Sequence, residues 1–158
     1  MAKKGLCLTG GILMLISIFL PVLWFTASYS AGGVSANASI FYWMFGYAFV
    51  IVSMSAGGAT ASYSGGVFLG LDVLGLICMI IIIIGAILAL AMSSSSSKGA
   101  LVGGILGLLS MIIYYVIMFT GAVMYSPLGE FGVLMIPFLG FFLCIIGGIL
   151  AIAGGAKS

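Results

Sequence analysis

The side chains of this chain best suited to chemistry are two carboxylates, Asp72 and Glu130, three thiols, Cys7, Cys78 and Cys144, and four lysines, Lys3, Lys4, Lys98 and Lys157. There is no His and no Arg. General acid–base catalysis needs a His or a carboxylate beside its partner, and a triad needs a base beside its nucleophile. Metal centres need clustered Cys, His, Asp or Glu. Here the carboxylates stand far apart, and the thiols fall in three different apolar segments, where a lone cysteine serves as a small apolar filler. Cys7, beside Lys3 and Lys4, is also a candidate for palmitoylation, with an unmodified residue the simpler reading. Four dispersed lysines make no basic stripe for nucleic acid. We therefore expect no enzyme, no catalytic residues, no cofactor, no metal and no nucleic-acid partner.

The charges carry information of another kind. Four long apolar segments occur at about residues 5–25, 67–92, 99–124 and 131–153, and each is long enough to cross a hydrocarbon core of ~30 Å at about 1.5 Å per helical residue. Lys3 and Lys4 precede the first segment, Lys98 separates the second from the third, and Lys157 follows the fourth. With four crossings all of them fall on one face, which the positive-inside rule makes cytoplasmic. The expected protein is a single membrane domain over residues 1–158, integral to the cell membrane, with both termini inside. The first run is longer than a signal-peptide core, which predicts a retained helix. The expected fold is an all-α four-transmembrane-helix bundle with a small first outer loop, residues 26–66.

Asp72 and Glu130 then begin the second and fourth helices at the outer face. The helix macrodipole favours a carboxylate there by about 0.3–1 kcal/mol, which accounts for both. The functional alternative is a symmetric pair that binds a proton or cation in an outer vestibule. Pro21 and Pro137 fall inside the first and fourth segments, where each should bend its helix.

The halves of the chain match each other. Gly10-Gly11-Ile12-Leu13 corresponds to Gly103-Gly104-Ile105-Leu106, and Ile83-Ile84-Gly85-Ala86 to Ile145-Ile146-Gly147-Gly148, as in a duplicated helical hairpin. Small residues recur at four-residue spacing in the inner halves: Gly99, Gly103 and Gly107, then Gly147, Ala151 and Gly155. Such stripes let backbones approach where lipid offers no hydrophobic drive, so Gly99, Gly103, Gly107, Gly147 and Ala151 are candidate association residues. Aromatic residues gather in the outer halves and outer loops, giving a bundle narrow at the inner leaflet and padded at the outer one.

Residues 26–66 form the one sizeable segment outside the bilayer. Its flanks repeat, Thr26-Ala27-Ser28-Tyr29-Ser30 and Thr60-Ala61-Ser62-Tyr63-Ser64, around an apolar run from 40 to 54. A fifth crossing would put Lys98 outside, so the choice lies between a β-hairpin turning near Phe45-Gly46-Tyr47 and an interfacial helix. The aromatic and β-branched content favours strands. Phe41, Trp43, Phe45, Tyr47 and Phe49 are candidate contact residues, since contiguous apolar surface marks an interaction site. Asn37-Ala38-Ser39 is a glycosylation acceptor sequence.

With Trp24 and Trp43 in this loop, the chain resembles the claudin-like tetraspan proteins. They share four helices, both ends inside and a long first outer loop. The family's loop cysteines are missing, with Gly46 at the first position, and Phe41-Tyr42 stand where a Gly-Leu pair is expected. The resemblance implies a β-bearing outer loop used for lateral or cell–cell contact. The expected function is a structural tetraspan in the lipid bilayer that self-assembles as a homo-oligomer through glycine faces and the apolar outer loop. The alternatives are an accessory subunit packed against other membrane subunits, and a small channel or carrier.

Overall fold

The computed structural model describes residues 2–93, 97–124 and 132–156. Along them run α1 (Ala2–Ser17), β1 (Leu23–Ala31), β2 (Val34–Tyr42), β3 (Tyr47–Ala56), β4 (Ala59–Phe68), α2 (Val73–Ala91), α3 (Ser97–Met124), β5 (Gly132–Pro137) and α4 (Leu139–Ala156). The strands form one antiparallel sheet in the order β4-β3-β2-β1-β5. This overturns the all-α expectation: the molecule is four helices plus a large sheet, built from residues 23–68 and 132–137. Glu130, Lys157, Tyr125 and the turn at Pro127 lie outside the described residues, as do residues 94–96.

Three helix boundaries move for one reason: apolar composition does not distinguish a membrane helix from an apolar strand that continues it. α1 stops at Ser17 rather than near residue 25. Its last turn tightens as the Ile18, Phe19 and Leu20 N–H groups bond back three residues, and Ser17 Oγ donates to Met14 O at 2.6 Å. Pro21 therefore lies beyond the helix and bends nothing. α2 begins at Val73, because residues 67 and 68 belong to β4. The fourth segment divides into β5 and α4. Pro137, expected to kink a helix, ends β5, an edge strand that tolerates a missing N–H.

Val73–Ala91, Lys98–Thr120 and Leu139–Ala156 are long and apolar enough to cross a membrane, and Lys4–Ser17 is a shorter apolar helix. The bundle is built inside-out. Bulky aliphatics such as Ile77, Ile80, Ile84, Ile112 and Ile146 lie on its outer surface, while Gly, Ala, Ser, Cys and Met fill the interior. That is the arrangement expected when the surrounding solvent is hydrocarbon and close helix approach supplies the cohesion.

The close approaches come in equivalent pairs. A Cβ built on Gly10 of α1 would lie 2.5 Å from Gly147 O of α4, and one on Gly85 of α2 would lie 2.5 Å from Gly103 O of α3. Gly11 faces Ala86 O at 3.0 Å, and Gly104 faces Gly148 O at 2.7 Å. These are matched positions of the two sequence halves. Met14, Ile82 and Met111, all fully buried, belong to the continuous apolar core.

The segment between α1 and α2 is strand rather than interfacial helix. Gly32-Gly33 and Gly57-Gly58 make the two-residue turns, and Gly57 and Gly58 have φ of 56° and 86°, the positive values a tight hairpin turn requires. The β2–β3 turn falls at Trp43–Gly46, one residue from the predicted point.

Candidate functional site

The sheet meets the bundle at Asp72. This residue precedes α2 with extended backbone, and its Oδ1 accepts the Gly75 N–H at 2.9 Å, an N-cap. Its Oδ2 accepts the hydroxyls of Tyr114, at 2.9 Å, and Tyr42, at 3.3 Å. One carboxylate thus joins α2, α3 and β2. Tyr114 is wholly buried, so a partner for its hydroxyl is obligatory. Tyr42, on the sheet side, is pushed up to about 12, first by burial and then by the charge and hydrogen bond of Asp72. Asp72 stands where the helix macrodipole favours a carboxylate, and its tyrosine partners lie outside that local pattern. Their signal was a phenol at position 114 within a run of aliphatic helix.

The β2–β3 turn is pressed into the same place. Met44 is buried, and a Cβ on Gly75 would collide with Met44 O. Gly46, at φ 88°, is packed so closely on Gly70 O that no side chain fits. Trp43 Nε1 donates to Phe19 O at 3.1 Å. Aromatic rings surround this turn: Trp24 stacks on Phe41 at 6.1 Å, Phe41 meets Phe138 at 5.3 Å, Trp43 meets Tyr47 at 5.2 Å and Phe45 stacks on Tyr47 at 6.3 Å. Phe49 lies opposite Phe41 in the register. The five proposed contact aromatics are therefore half-buried in a collar at the base of the sheet.

Beyond the collar the sheet is uncharged; β4 and the hairpin tips are exposed, and much of β1, β2 and β3 is half-buried. Paired residues share a face and successive residues alternate, so the register aligns three hydroxyl rows. Ser30, Ser35, Ser55 and Thr60 form the outermost; Ser28, Asn37, Ser53 and Ser62 the next; Thr26, Ser39 and Ser64, interrupted by Ile51, the third. Ser35, Asn37, Ser53, Ser55, Thr60 and Ser62 line a shallow hollow of about 220 Å³ on that face. Asn37, the glycosylation candidate, is exposed there. The opposite face carries Ala, Val, Met54, Tyr29 and Tyr63.

The glycine stripes lie elsewhere and are occupied. A Cβ on Gly103 would strike Gly85 O, and one on Gly107 would strike Met14 Sδ. Gly147 approaches Gly10 O at 2.7 Å, Gly99 sits against Met92, and Ala151 is fully buried. The thiols are free and buried at helix contacts, with Cys144 Sγ donating to Gly107 O at 3.6 Å and Cys7 Sγ to Ala151 O at 3.9 Å. Across the α2–α3 contact, Ser110 Oγ donates to Cys78 O at 3.0 Å. The structure thus brings the predicted glycines together within one chain and leaves the outer strands uncovered.

No protein-family model matches the chain, and neither does any curated protein.

Proposed function

We propose that this is a non-enzymatic structural membrane protein that self-associates through its sheet. In this reading the helices lie in the cell membrane with both termini cytoplasmic, as the lysine placement favours, and the sheet stands outside. The observation that carries the reading is an uncharged sheet with exposed faces and an uncovered edge, mounted on a bundle whose outer surface is aliphatic. Exposed, charge-free strand surface is an association surface unless something blocks it. The claudin-like resemblance points the same way, toward lateral or cell–cell contact through a β-bearing outer loop. The glycine faces serve the bundle itself, so the sheet takes over the contact role.

The test is the native mass of the chain after gentle extraction from its source membrane, with identification of whatever co-migrates. Particles holding several copies of this chain alone are expected. A discrete complex with other polypeptides would make it an accessory subunit, and a lone monomer at membrane concentrations would remove self-association altogether.

A further inference from the structure

β4 is one of the two edge strands of the sheet, and among the described residues one side of it has no neighbour. It is ten residues long, Ala59–Phe68, and exposed throughout except at a half-buried Gly65. Natural edge strands are blunted by lysine, proline, bulges or shortness. β4 contains no charge and no proline, and its register against β3 runs from Ala56–Ala59 to Tyr47–Phe68 without a bulge.

The hydrogen-bonding side of each residue follows from the antiparallel alternation. Leu69 N donates to Gly46 O at 3.0 Å, in the same register, so the odd-numbered residues of β4 bond to β3. The N–H and C=O groups of Thr60, Ser62, Ser64 and Gly66 therefore face outward. The sequence of β1 shows what such an edge accepts. β1 and β4 share the run Thr-Ala-Ser-Tyr-Ser, and in β1 the equivalent residues Thr26 and Ser28 pair with Leu134 and Gly132 of β5, an antiparallel strand. The repeated strand has its cover; among the described residues β4 has none.

We infer that the uncovered edge of β4 pairs antiparallel with β4 of a second copy held in an opposed membrane, an inference that rests on the self-association reading above. Strand direction selects the opposed membrane. β4 leads into α2 and β5 leads into α4, so both edge strands run toward the bundle. A copy standing in the same membrane offers only parallel edges. An inverted copy, related by a two-fold axis normal to the sheet, offers an antiparallel one and keeps the hydroxyl faces continuous across the joint.

The residues suit that axis. Centred on Tyr63, the pairing sets Ser62 against Ser64 and Thr60 against Gly66 on the hydroxyl face. On the other face Tyr63 meets its symmetry mate, with Ala61 and Gly65 beside it. Gly65 already leaves room for the tyrosine, whose Oη lies 2.7 Å from where a Cβ would be. Nine residues, Ala59–Val67, overlap, and the ten residue steps from Phe68 of one copy to Phe68 of the other, at about 3.4 Å each, set the two bundle ends roughly 35 Å apart.

The test uses two vesicle populations, one reconstituted with Ser62→Cys and one with Ser64→Cys, mixed under mild oxidation with wild-type vesicles as the control. Disulfide-linked dimers between populations, and docked vesicles with a gap near that spacing, are expected. Ser64→Pro, which removes an outward N–H only, should abolish docking. Ser64→Lys should do the same and serves if the proline variant does not fold. Cross-linking only when both variants share one membrane would overturn the opposed-membrane partner. Oligomers by native mass with no cross-link in either arrangement would overturn the β4 edge while leaving self-association standing. A monomer throughout would overturn both.

Discussion

In the helical bundle, glycine lies between backbones; in the sheet, serine and alanine lie on open surface. Both regions are rich in small side chains, yet a small residue means something different in each. Between α1 and α4, or α2 and α3, the missing Cβ permits a contact that any larger group would prevent. On β4 and the tips of β2 and β3 the small side chains stay exposed. The difference separates stability from function: the bundle consumes its small residues in holding together, and the sheet leaves its own available.

The contrast is broken most severely by adding bulk to the bundle. Gly103→Leu or Gly147→Leu should cost about 3 kcal/mol or more, because the obstruction is backbone and cannot yield. A thermal melt in detergent would show it as a large fall in midpoint or as failure to fold. At the junction, Asp72→Ala should cost about 2–3 kcal/mol, combining the lost N-cap with a buried Tyr114 hydroxyl left unpaired. Tyr114→Phe removes both the hydroxyl and its need for a partner, and should cost about 1 kcal/mol in the same melt.

A pH series sharpens the picture on the sheet side. Because Tyr42 is held protonated, its contribution is fully present below about pH 10 and is lost as pH rises toward about 12. Ultraviolet titration should show a phenol ionising at about pH 12 that disappears in Tyr42→Phe. The smallest effect belongs to the open face. Thr60→Leu, which puts the same final side chain on open surface, should alter stability by within about 0.5 kcal/mol. A fall of several kcal/mol there would erase the distinction between the two regions.

Helix number, the start of α3 and the role of Asp72 as a cap were legible in the sequence, because length, hydropathy and a carboxylate before an apolar run are local signals. Strand structure around 40–54 and its turn were legible from β-branched and aromatic content. β1 and β5 were not. Leu23, Trp24 and Phe25 extend the apolar run of α1, and Val133–Ile136 extend that of α4, so each strand was absorbed into its neighbouring helix. Pro21 and Pro137 marked the true breaks, but a proline inside an apolar run signals a kink as readily as an end. The glycine stripes announced close packing without saying whether the partner was the same chain. The Tyr42–Asp72–Tyr114 cluster joins residues from three elements, and no local pattern encodes it.

The pairing of β1 with β5 also has a consequence in time. Leu23 lies opposite Pro137, and a contact spanning about a hundred residues is closed late because the intervening chain must be ordered first. While the chain is being made, the β1–β4 meander can assemble as soon as Phe68 emerges, but its second edge is then the nine-residue β1 instead of the six-residue, proline-ended β5. Only when the segment before α4 arrives is the β1 side sealed. A newborn chain is therefore more adhesive than a finished one, and crowded synthesis should favour misjoined sheets through β1. Slowing translation after β4 should raise their yield, whereas supplying a peptide of the β5 sequence should lower it.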